Sequence, residues 1–306
     1  MAESTESNVY LIAGASGNLG KMVLERLVES GTHQIIATTR TPAKLAEYEA
    51  KGVVVRAADY AQPKEDLVEA FRGATHMLLI STLDVGSRHE HHENALDAAI
   101  AAGVKHIFYT SHSHPDTSTS PVAPEHGMME RAIKARGVTY TMLRNFLYSE
   151  NILLSFAEAG ATGTHYSVEG DGKVAWISRG DCAAAAAGAM LDASSYENAT
   201  LDVTGPRAYS NAELVAAVSE AIGRPIMHVA LPAAEYEARL VANGFPAEVA
   251  KVLTGLEIAN SLGDHDLVND VARRLSGRDL DKLEDFLAAN AGQIDPARSL
   301  NTLFEH

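Results

Sequence analysis

Short apolar runs alternate with longer stretches of helical period through the first 145 residues. The apolar runs show little polar alternation, which is typical of strands that helices cover on both faces. Strands are predicted at Val9–Gly14, Gln34–Thr39, Val53–Ala57, Met77–Ile80, His106–Thr110 and Tyr140–Arg144. Helices are predicted at Asn18–Ser30, Pro42–Lys51, Lys64–Phe71, His89–Ala102 and Pro124–Arg136. Because a helix joins each strand to the next, the pattern predicts right-handed βαβ units and a parallel sheet.

This rhythm changes after Arg144. The remaining helices are predicted at Leu147–Ala159, Ala183–Leu191, Asn211–Ile222, Ala233–Asn243, Ala247–Ser261 and Asp279–Asn290, with a strand at Ala199–Val203 and an irregular glycine-rich stretch at 160–171. We therefore predict an α/β fold, a doubly wound parallel sheet over residues 1–145 to which residues 178–204 return. Residues 146–177 and 205–306 would form a smaller, mostly helical C-terminal cap that binds substrate at the carboxyl edge of the sheet.

The charge balance narrows the range of partners. The 306-residue chain has 25 basic and 40 acidic side chains, a formal charge of −15, which disfavours nucleic acid and anionic membranes as partners. Its single cysteine, Cys182, excludes an intrachain disulfide and a cysteine zinc site. The polar N-terminus has no apolar targeting segment, so we expect a cytoplasmic protein, with a homodimer left open.

The first predicted strand ends in a glycine-rich turn, G-x-x-G-x-x-G, which leads into the first helix. Glycine permits a tight turn and lets backbone amides approach an oxyanion, and the helix N-terminus adds partial positive charge. This pattern, at the start of a βαβ run, indicates a Rossmann NAD(P)-binding domain rather than a plain turn. We assign the pyrophosphate contacts to Gly14, Ala15, Ser16, Gly17, Asn18, Leu19 and Gly20.

The end of the second strand distinguishes the two nicotinamide cofactors. Folds that bind NAD usually place an acid there, whereas this strand ends in Thr39 and Arg40, with Lys44 one helical turn later. Two cations can pair with a 2′-phosphate, so we predict NADP(H), although either cation alone can equally be a solvated surface residue. Four residues at the next strand ends are further predicted cofactor contacts: Asp59, Tyr60, Ser81 and Thr82.

Thirteen histidines raise the question of a metal site. The run from Arg88 to Glu93 lacks the H-E-x-x-H spacing, so we predict a solvated helix start and no metal there. His112 follows the fifth strand at the carboxyl edge, where contact with substrate or cofactor is expected. Aromatic side chains can stack on a flat acceptor but are also common in cores. The predicted substrate contacts are Leu83, His112, Tyr148 and Trp176.

Several segments carry a family resemblance that extends over nearly the whole chain. They read GASGNLG at 14–20, AADY at 57–60, AAGVKHIFYTS at 101–111, YTMLRNFLYSENIL at 140–153, GDCAAAAA at 180–187 and DVTGP at 202–206. Together with Arg40 and Lys44, they resemble the NmrA-like branch of the atypical short-chain dehydrogenases, especially its quinone and dye reductases. The resemblance implies NADPH at the glycine turn, Asn145 and Phe146 beside the nicotinamide, and a flat aromatic or quinonoid substrate.

Ordinary short-chain dehydrogenases carry a catalytic Tyr-x-x-x-Lys on the helix after the fifth strand. Here that helix contains His126 and Glu130, which share a face at i and i+4, as in the quinone reductases of this branch. Reduction of a ketone needs a proton donor near the developing oxyanion. A hydroquinone anion spreads its charge over an aromatic ring, so a quinone needs a dedicated acid less.

We therefore predict an oxidoreductase that transfers hydride from NADPH directly to a quinone or a similar conjugated aromatic acceptor. His126 is the candidate catalytic residue, as an acid or an orienting group, and the alternative is a local polar pair of His126 with Glu130 against the ribose. Arg144 is expected to pair with a buried carboxylate or the backbone. Two other functions stay open: an NADP(H)-sensing regulator, and a reductase or dehydrogenase of a specialised aromatic metabolite.

Overall fold

The computed structural model describes residues 8–31, 34–82 and 88–294. Its strands are β1 (Val9–Ala13), β2 (Gln34–Thr39), β3 (Val54–Ala57), β4 (His76–Leu79), β5 (His106–His112), β6 (Thr139–Asn145), β7 (Thr164–Val168), β8 (Lys173–Val174), β9 (Ala199–Val203), β10 (Tyr209–Ser210) and β11 (Met227–Leu231). Its helices are α1 (Asn18–Ser30), α2 (Ala46–Glu49), α3 (Lys64–Phe71), α4 (Arg88–Ala101), α5 (Ala123–Ala135), α6 (Glu150–Ser155), α7 (Ala157–Thr162), α8 (Arg179–Leu191), α9 (Asn211–Ile222), α10 (Ala233–Ala242), α11 (Ala247–Ser261), α12 (Val271–Ser276) and α13 (Leu283–Asn290). Short 3₁₀ helices lie at Pro42–Leu45, Ala193–Tyr196 and Ala291–Gln293.

Seven strands form one parallel sheet in the order β3-β2-β1-β4-β5-β6-β9. The order reverses between β1 and β4, and this reversal opens a crevice at the carboxyl ends of those strands, where ligands bind in open α/β sheets. The predicted doubly wound Rossmann architecture is confirmed. Strand β9 pairs with β6 from Thr141↔Ala199 to Asn145↔Val203, so the chain returns to the sheet after its first excursion.

Helices cover both faces of this sheet. Phe108 of β5 and Leu143 of β6 point to the side of α1, α8 and α12. Their neighbours in the same strands, Tyr109 and Met142, point to the side of α3, α4 and α5. The alanine run of α8 is buried, and a Cβ at Gly188 would overlap the backbone carbonyl of Leu275 in α12. Small side chains therefore let α8 pack closely between its neighbours.

The remaining elements form the smaller cap, which has its own hydrophobic core around Phe156, Trp176 and Leu287. The cap is mostly helical, but it contains two small sheets that the sequence pattern did not predict, β7 with β11 and β8 with β10. Strand β7 lies in the stretch predicted as irregular, because its partner is far away in the chain and gives no local signal. The predicted helix at Leu147–Ala159 is divided into α6 and α7.

The last predicted helix also begins later than expected, at Leu283. Helix α12 was not predicted, since it is only 6 residues long, fewer than two turns. None of the helices in the described part of the chain combines the length and the apolar character needed to cross a membrane.

Candidate active site

The glycine turn between β1 and α1 is built from tight backbone contacts. Gly14 has a φ of +83°, and its N–H and that of Ala15 both donate to the carbonyl of Thr38, at 3.1 and 2.9 Å. A Cβ at Gly20 would overlap the Gly14 carbonyl oxygen and lie 2.9 Å from the Ala15 Cα. Gly14 is therefore required for its backbone angle, and Gly20 lets the helix approach the turn.

The start of α1 is free to receive an anion. Gly17 occupies the position before the helix without a side-chain cap, and the first turn carries no acidic residue. The first N–H groups of a helix have no partner within it, and Gly14, Gly17 and Asn18 are exposed at this turn. Exposed amides at the positive end of a helix, with a cradle that only glycine leaves open, fit a pyrophosphate.

Thr39 connects this turn to the end of β2. Its hydroxyl lies 2.5 Å from the hydroxyl of Ser16 and accepts a hydrogen bond from the N–H of Thr41 at 3.1 Å. The next predicted contacts, Arg40 and Lys44, are exposed, and neither forms an ion pair or a side-chain hydrogen bond with any residue that the structure describes. Two cations that are not neutralised within this part of the chain fit a 2′-phosphate at the same edge.

The predicted contacts after β3 and β4 lie beside the turn. A Cβ at Gly14 would be 3.9 Å from the hydroxyl of Tyr60, which is buried without a hydrogen-bond partner among the described residues. Asp59 is exposed, and its carboxylate caps the following loop by accepting from the N–H of Ala61 at 3.1 Å. The N–H of Ser81 donates to the hydroxyl of Thr110 at 2.8 Å, which attaches the end of β4 to β5.

The segment after β4 contains two more predicted positions. The N–H of Thr82 donates to Nε2 of His92 at 3.3 Å. Leu83 lies outside the described residues. His92 and Arg88 are buried, with 1% and 4% of their surface exposed, so the expectation of a solvated helix start is wrong for these two side chains, whereas the residues between them are half-buried or exposed. His92 is buried because it packs on the sheet beside Tyr60 and Tyr109.

His126 is buried between two polar groups. The guanidinium of Arg88 lies 2.8 Å from its Nε2, and the hydroxyl of Tyr109 lies 3.1 Å from its Nδ1. A guanidinium can only donate, so Nε2 accepts and the ring proton is on Nδ1. Burial, together with the charge of Arg88, holds the pKa of His126 well below its usual range. His126 is thus a neutral imidazole with both nitrogens engaged, a geometry that favours an orienting role over proton donation.

Glu130 pairs with Arg144 and not with His126. Two charge-assisted hydrogen bonds of 2.9 and 2.8 Å join Glu130 to Arg144, and the hydroxyl of Ser111 donates to the same carboxylate at 2.7 Å. The expectation of a polar pair between His126 and Glu130 is therefore wrong, because each side chain finds a stronger partner on a different element. The expectation that Arg144 pairs with a buried carboxylate is confirmed.

Tyr148 and Trp176 occupy different environments. The hydroxyl of Tyr148 accepts a hydrogen bond from the side chain of Asn145 at 3.2 Å, and the guanidinium of Arg179 lies 4.8 Å from its ring centre. Trp176 is 8% exposed and packs in the core of the cap, with its indole N–H buried and without a partner in the described part of the chain. Tyr148 is therefore placed beside Asn145, whereas Trp176 is mainly a core residue.

Comparison with known proteins is consistent with this geometry. Residues 6–294 match the NmrA-like family. The chain belongs to the NmrA-like family. It is 38% identical over 253 residues to quinone oxidoreductase 2 of Escherichia coli (strain K12), and the aligned region covers 82% of this chain and 88% of that protein.

Two solved structures share the fold of this NmrA-like protein. An NADPH-dependent quinone oxidoreductase from Escherichia coli, complexed with NADPH, superposes with a TM-score of 0.87 at 36% identity, over 92% of this chain and 99% of the other. The triphenylmethane reductase of Citrobacter sp., complexed with NADP(H), superposes with a TM-score of 0.83 at 31% identity, over the same fractions of the two chains. The predicted resemblance to this group of reductases is confirmed.

The structure also brings a residue to this edge that the sequence pattern did not indicate. His265 follows α11 in the cap, and its ring lies 5.2 Å from that of His112 at the end of β5 and 6.0 Å from that of Phe146. It is fully buried. It stands alone in a loop without a recognisable motif, so nothing in its local sequence marks it. Among the described residues, no three His, Cys, Asp or Glu side chains are arranged to hold a metal ion.

Proposed function

We propose that this NmrA-like protein uses NADPH to reduce quinones or similar conjugated aromatic acceptors. It is an NAD(P)H-dependent oxidoreductase with NADP(H) as its cofactor, in keeping with its family and its named relatives. The finer assignment, a quinonoid acceptor, rests on one observation. Among the described residues, both ring nitrogens of His126 on α5 are engaged, by Arg88 and by Tyr109, and burial keeps the pKa values of His112, His126 and His265 low, so these three imidazoles at the carboxyl edge are neutral.

The proposed cofactor site follows the carboxyl ends of the strands. The backbone of the glycine turn holds the pyrophosphate, and Arg40 and Lys44 bind the 2′-phosphate. The other proposed contacts lie along the same edge: Thr39, Asp59, Tyr60, Ser81, Thr82, Asn145 and Phe146. When bound, NADPH supplies a hydride at its nicotinamide.

The neutral site suits an acceptor that tolerates negative charge. A quinone that gains a hydride becomes a hydroquinone anion, and one proton from solvent completes the hydroquinone. Because the aromatic ring carries the charge, hydrogen bonding and positioning are sufficient, and a charged acid is not required. A simple ketone would give an alkoxide, and the helix that carries the acid of ordinary short-chain dehydrogenases has here the neutral His126, whose two ring nitrogens are already engaged.

The test is a steady-state assay of the purified chain. NADPH oxidation is followed at 340 nm with 1,4-benzoquinone as acceptor, with NADH in parallel and an aliphatic ketone as the control acceptor. We expect enzyme-dependent oxidation with the quinone, faster with NADPH than with NADH, and none with the ketone. Tight NADPH binding without turnover, across a panel of quinones and dyes, would refute the proposed reductase.

A further inference from the structure

We propose that His112 and His265 together bind one oxygen atom of the substrate: a ring N–H of His265 donates to it when it is a quinone carbonyl, and Nε2 of His112 accepts from it when it is a hydroquinone hydroxyl. The proposal rests on the proposed reductase function and names the groups that recognise its substrate. The two imidazoles come from opposite sides of the site, one from the end of β5 and the other from the loop after α11.

The location of the pair connects it to the predicted hydride-transfer site. Strands β5 and β6 end in register, with His112 opposite Asn145. The ring of His265 meets the ring of Phe146 edge-on at 6.0 Å and that of His112 edge-on at 5.2 Å. An acceptor beside Asn145 and Phe146 would therefore lie near these two imidazoles.

The hydrogen bonds define which nitrogen carries a proton. Nδ1 of His112 lies 2.8 Å from the carbonyl oxygen of Ser113, which can only accept, so Nδ1 is the protonated nitrogen. Nε2 of the neutral ring is then a bare lone pair. His265 is also neutral, since burial lowers its pKa to about 3, and it offers one N–H and one lone pair. The pair therefore presents both a donor and acceptors.

These nitrogens lack partners although they are buried. Nε2 of His112 and both ring nitrogens of His265 form no hydrogen bond with any described residue, and the two residues are 7% and 0% exposed. Buried polar groups are nearly always hydrogen-bonded, so unpaired ones indicate a missing ligand or water. A hydroxyl oxygen within reach of both rings would accept from the N–H of His265 and donate to Nε2 of His112.

The cap holds His265 firmly in this place. Its backbone carbonyl accepts from the N–H of Ala175 at 2.8 Å. The preceding residue, Asp264, accepts hydrogen bonds from the hydroxyl of Ser118 at 2.8 Å and the N–H of Thr119 at 2.7 Å, which fasten the loop after β5 to the cap. The donor is therefore preorganised, which is what makes a hydrogen bond to a developing charge effective.

The surrounding charges favour an oxygen over a cation as the ligand. The buried guanidinium of Arg88 contributes to lowering the pKa of both His112 and His126. The carboxylate of Asp264 opposes it, but that carboxylate is already satisfied by three hydrogen bonds from the β5 loop. Arg88 is paired with Glu125 at 3.1 Å, and Asp264 with Ser118 and Thr119, so the described charges near the two imidazoles are already satisfied and a neutral oxygen suits the pair better than a cation.

The pair also distinguishes the oxidised from the reduced acceptor. A quinone carbonyl oxygen can only accept, so it uses the N–H of His265. After reduction the same oxygen carries a proton and can also donate to Nε2 of His112. We therefore expect hydroquinone to bind more tightly than 1,4-dimethoxybenzene, which has the same ring but cannot donate.

The first test compares variants at the two histidines with a matched control. H265L is expected to lower kcat/KM for 1,4-benzoquinone about 100-fold, the usual effect of losing one donor to a developing oxyanion. H265Q keeps an N–H donor and is expected to recover at least tenfold of that loss. The dissociation constant of NADPH, measured by fluorescence, stays unchanged in both. H165Q is the control, since His165 is a half-buried histidine of the cap whose ring stacks on Phe156 and whose pKa is likewise lowered by burial.

The second test measures binding by NMR in protein labelled with ¹⁵N-histidine and saturated with NADP⁺. Hydroquinone is expected to shift the ring nitrogens of His112 and His265 but not those of His165, and H112L is expected to reduce the preference for hydroquinone over 1,4-dimethoxybenzene about tenfold. If quinone turnover is normal while these signals and the H265L kinetics are unchanged, the inference is overturned and the reductase stands. If the wild-type chain does not turn over quinones at all, both fall.

Discussion

Replacing Glu130 by alanine removes the carboxylate that holds the end of β6. In the folded protein this carboxylate is almost fully buried, with 3% of its side chain exposed, and Arg144 beside it is 17% exposed. Arg144 immediately precedes Asn145 and Phe146, so the ion pair positions the strand end at which the nicotinamide is proposed to lie. The variant tests whether this buried pair determines the stability of that edge.

The magnitude follows from what the substitution leaves behind. E130A removes three hydrogen bonds of 2.7 to 2.9 Å and leaves the guanidinium of Arg144 mostly buried and without its hydrogen-bond partner. Breaking a buried pair in this way typically costs 3–5 kcal/mol, roughly ten times the cost of breaking an exposed pair. We therefore expect the free energy of unfolding to fall by about 4 kcal/mol.

The assay is equilibrium unfolding in urea, followed by circular dichroism, with two matched controls. E69A breaks the exposed pair of Glu69 with Arg72, whose side chains are 61% and 70% exposed, and is expected to cost less than about 1 kcal/mol. The double variant E130M/R144M replaces both buried charges by apolar groups and is expected to recover most of the loss. If E130A costs no more than E69A, or if the double variant is no better than E130A, the reasoning about the buried charge left without its partner is refuted.

Three further predictions concern the cofactor and the histidines. R40A/K44A is expected to weaken NADPH binding about tenfold or more and to leave NADH binding nearly unchanged, as measured by fluorescence titration, since only the 2′-phosphate loses partners; equal weakening of both cofactors would contradict the assignment. G20V is expected to abolish cofactor binding, because its side chain would overlap the Gly14 carbonyl, whereas G292A, where a Cβ meets nothing within 4 Å, is the control and is expected to bind normally. The free energy of unfolding is expected to decline as the pH falls from 6.5 towards 3, since the folded pKa values of His92, His165 and His265 are lowered to about 3 and the unfolded chain takes up protons first. In urea titrations across this range, each of these histidines contributes up to roughly 1.4 kcal/mol per pH unit to the slope of the free energy of unfolding against pH. H165Q is therefore expected to reduce that slope, and an unchanged slope would contradict the assignment of His165 as neutral in the folded protein.

The features that could be predicted from the sequence are those that depend on local pattern. The apolar runs of β1 to β6 and the helical period of the connections predicted a doubly wound sheet, because a strand buried on both faces must be apolar throughout. The glycine spacing from Gly14 to Gly20 carries its own geometry, since the turn and the first helical turn lie within seven residues. The two cations Arg40 and Lys44, and the lack of an acid at the end of β2, could likewise be recognised in the sequence without knowledge of contacts between distant residues.

The chemistry of the site was decided by contacts between distant residues. His126 is neutral because it is buried and because Arg88, 38 residues earlier, lies against its ring, and a helical pattern can show neither the burial nor that partner. Glu130 was close to His126 in the sequence but bonds to Arg144, because the parallel register of β5 and β6 brings that side chain under α5. His112 and His265 meet only where the cap closes on the end of β5. Local sequence specifies an element through the conformations of neighbouring residues, whereas burial, tautomer and pKa depend on which groups the tertiary structure places around a side chain.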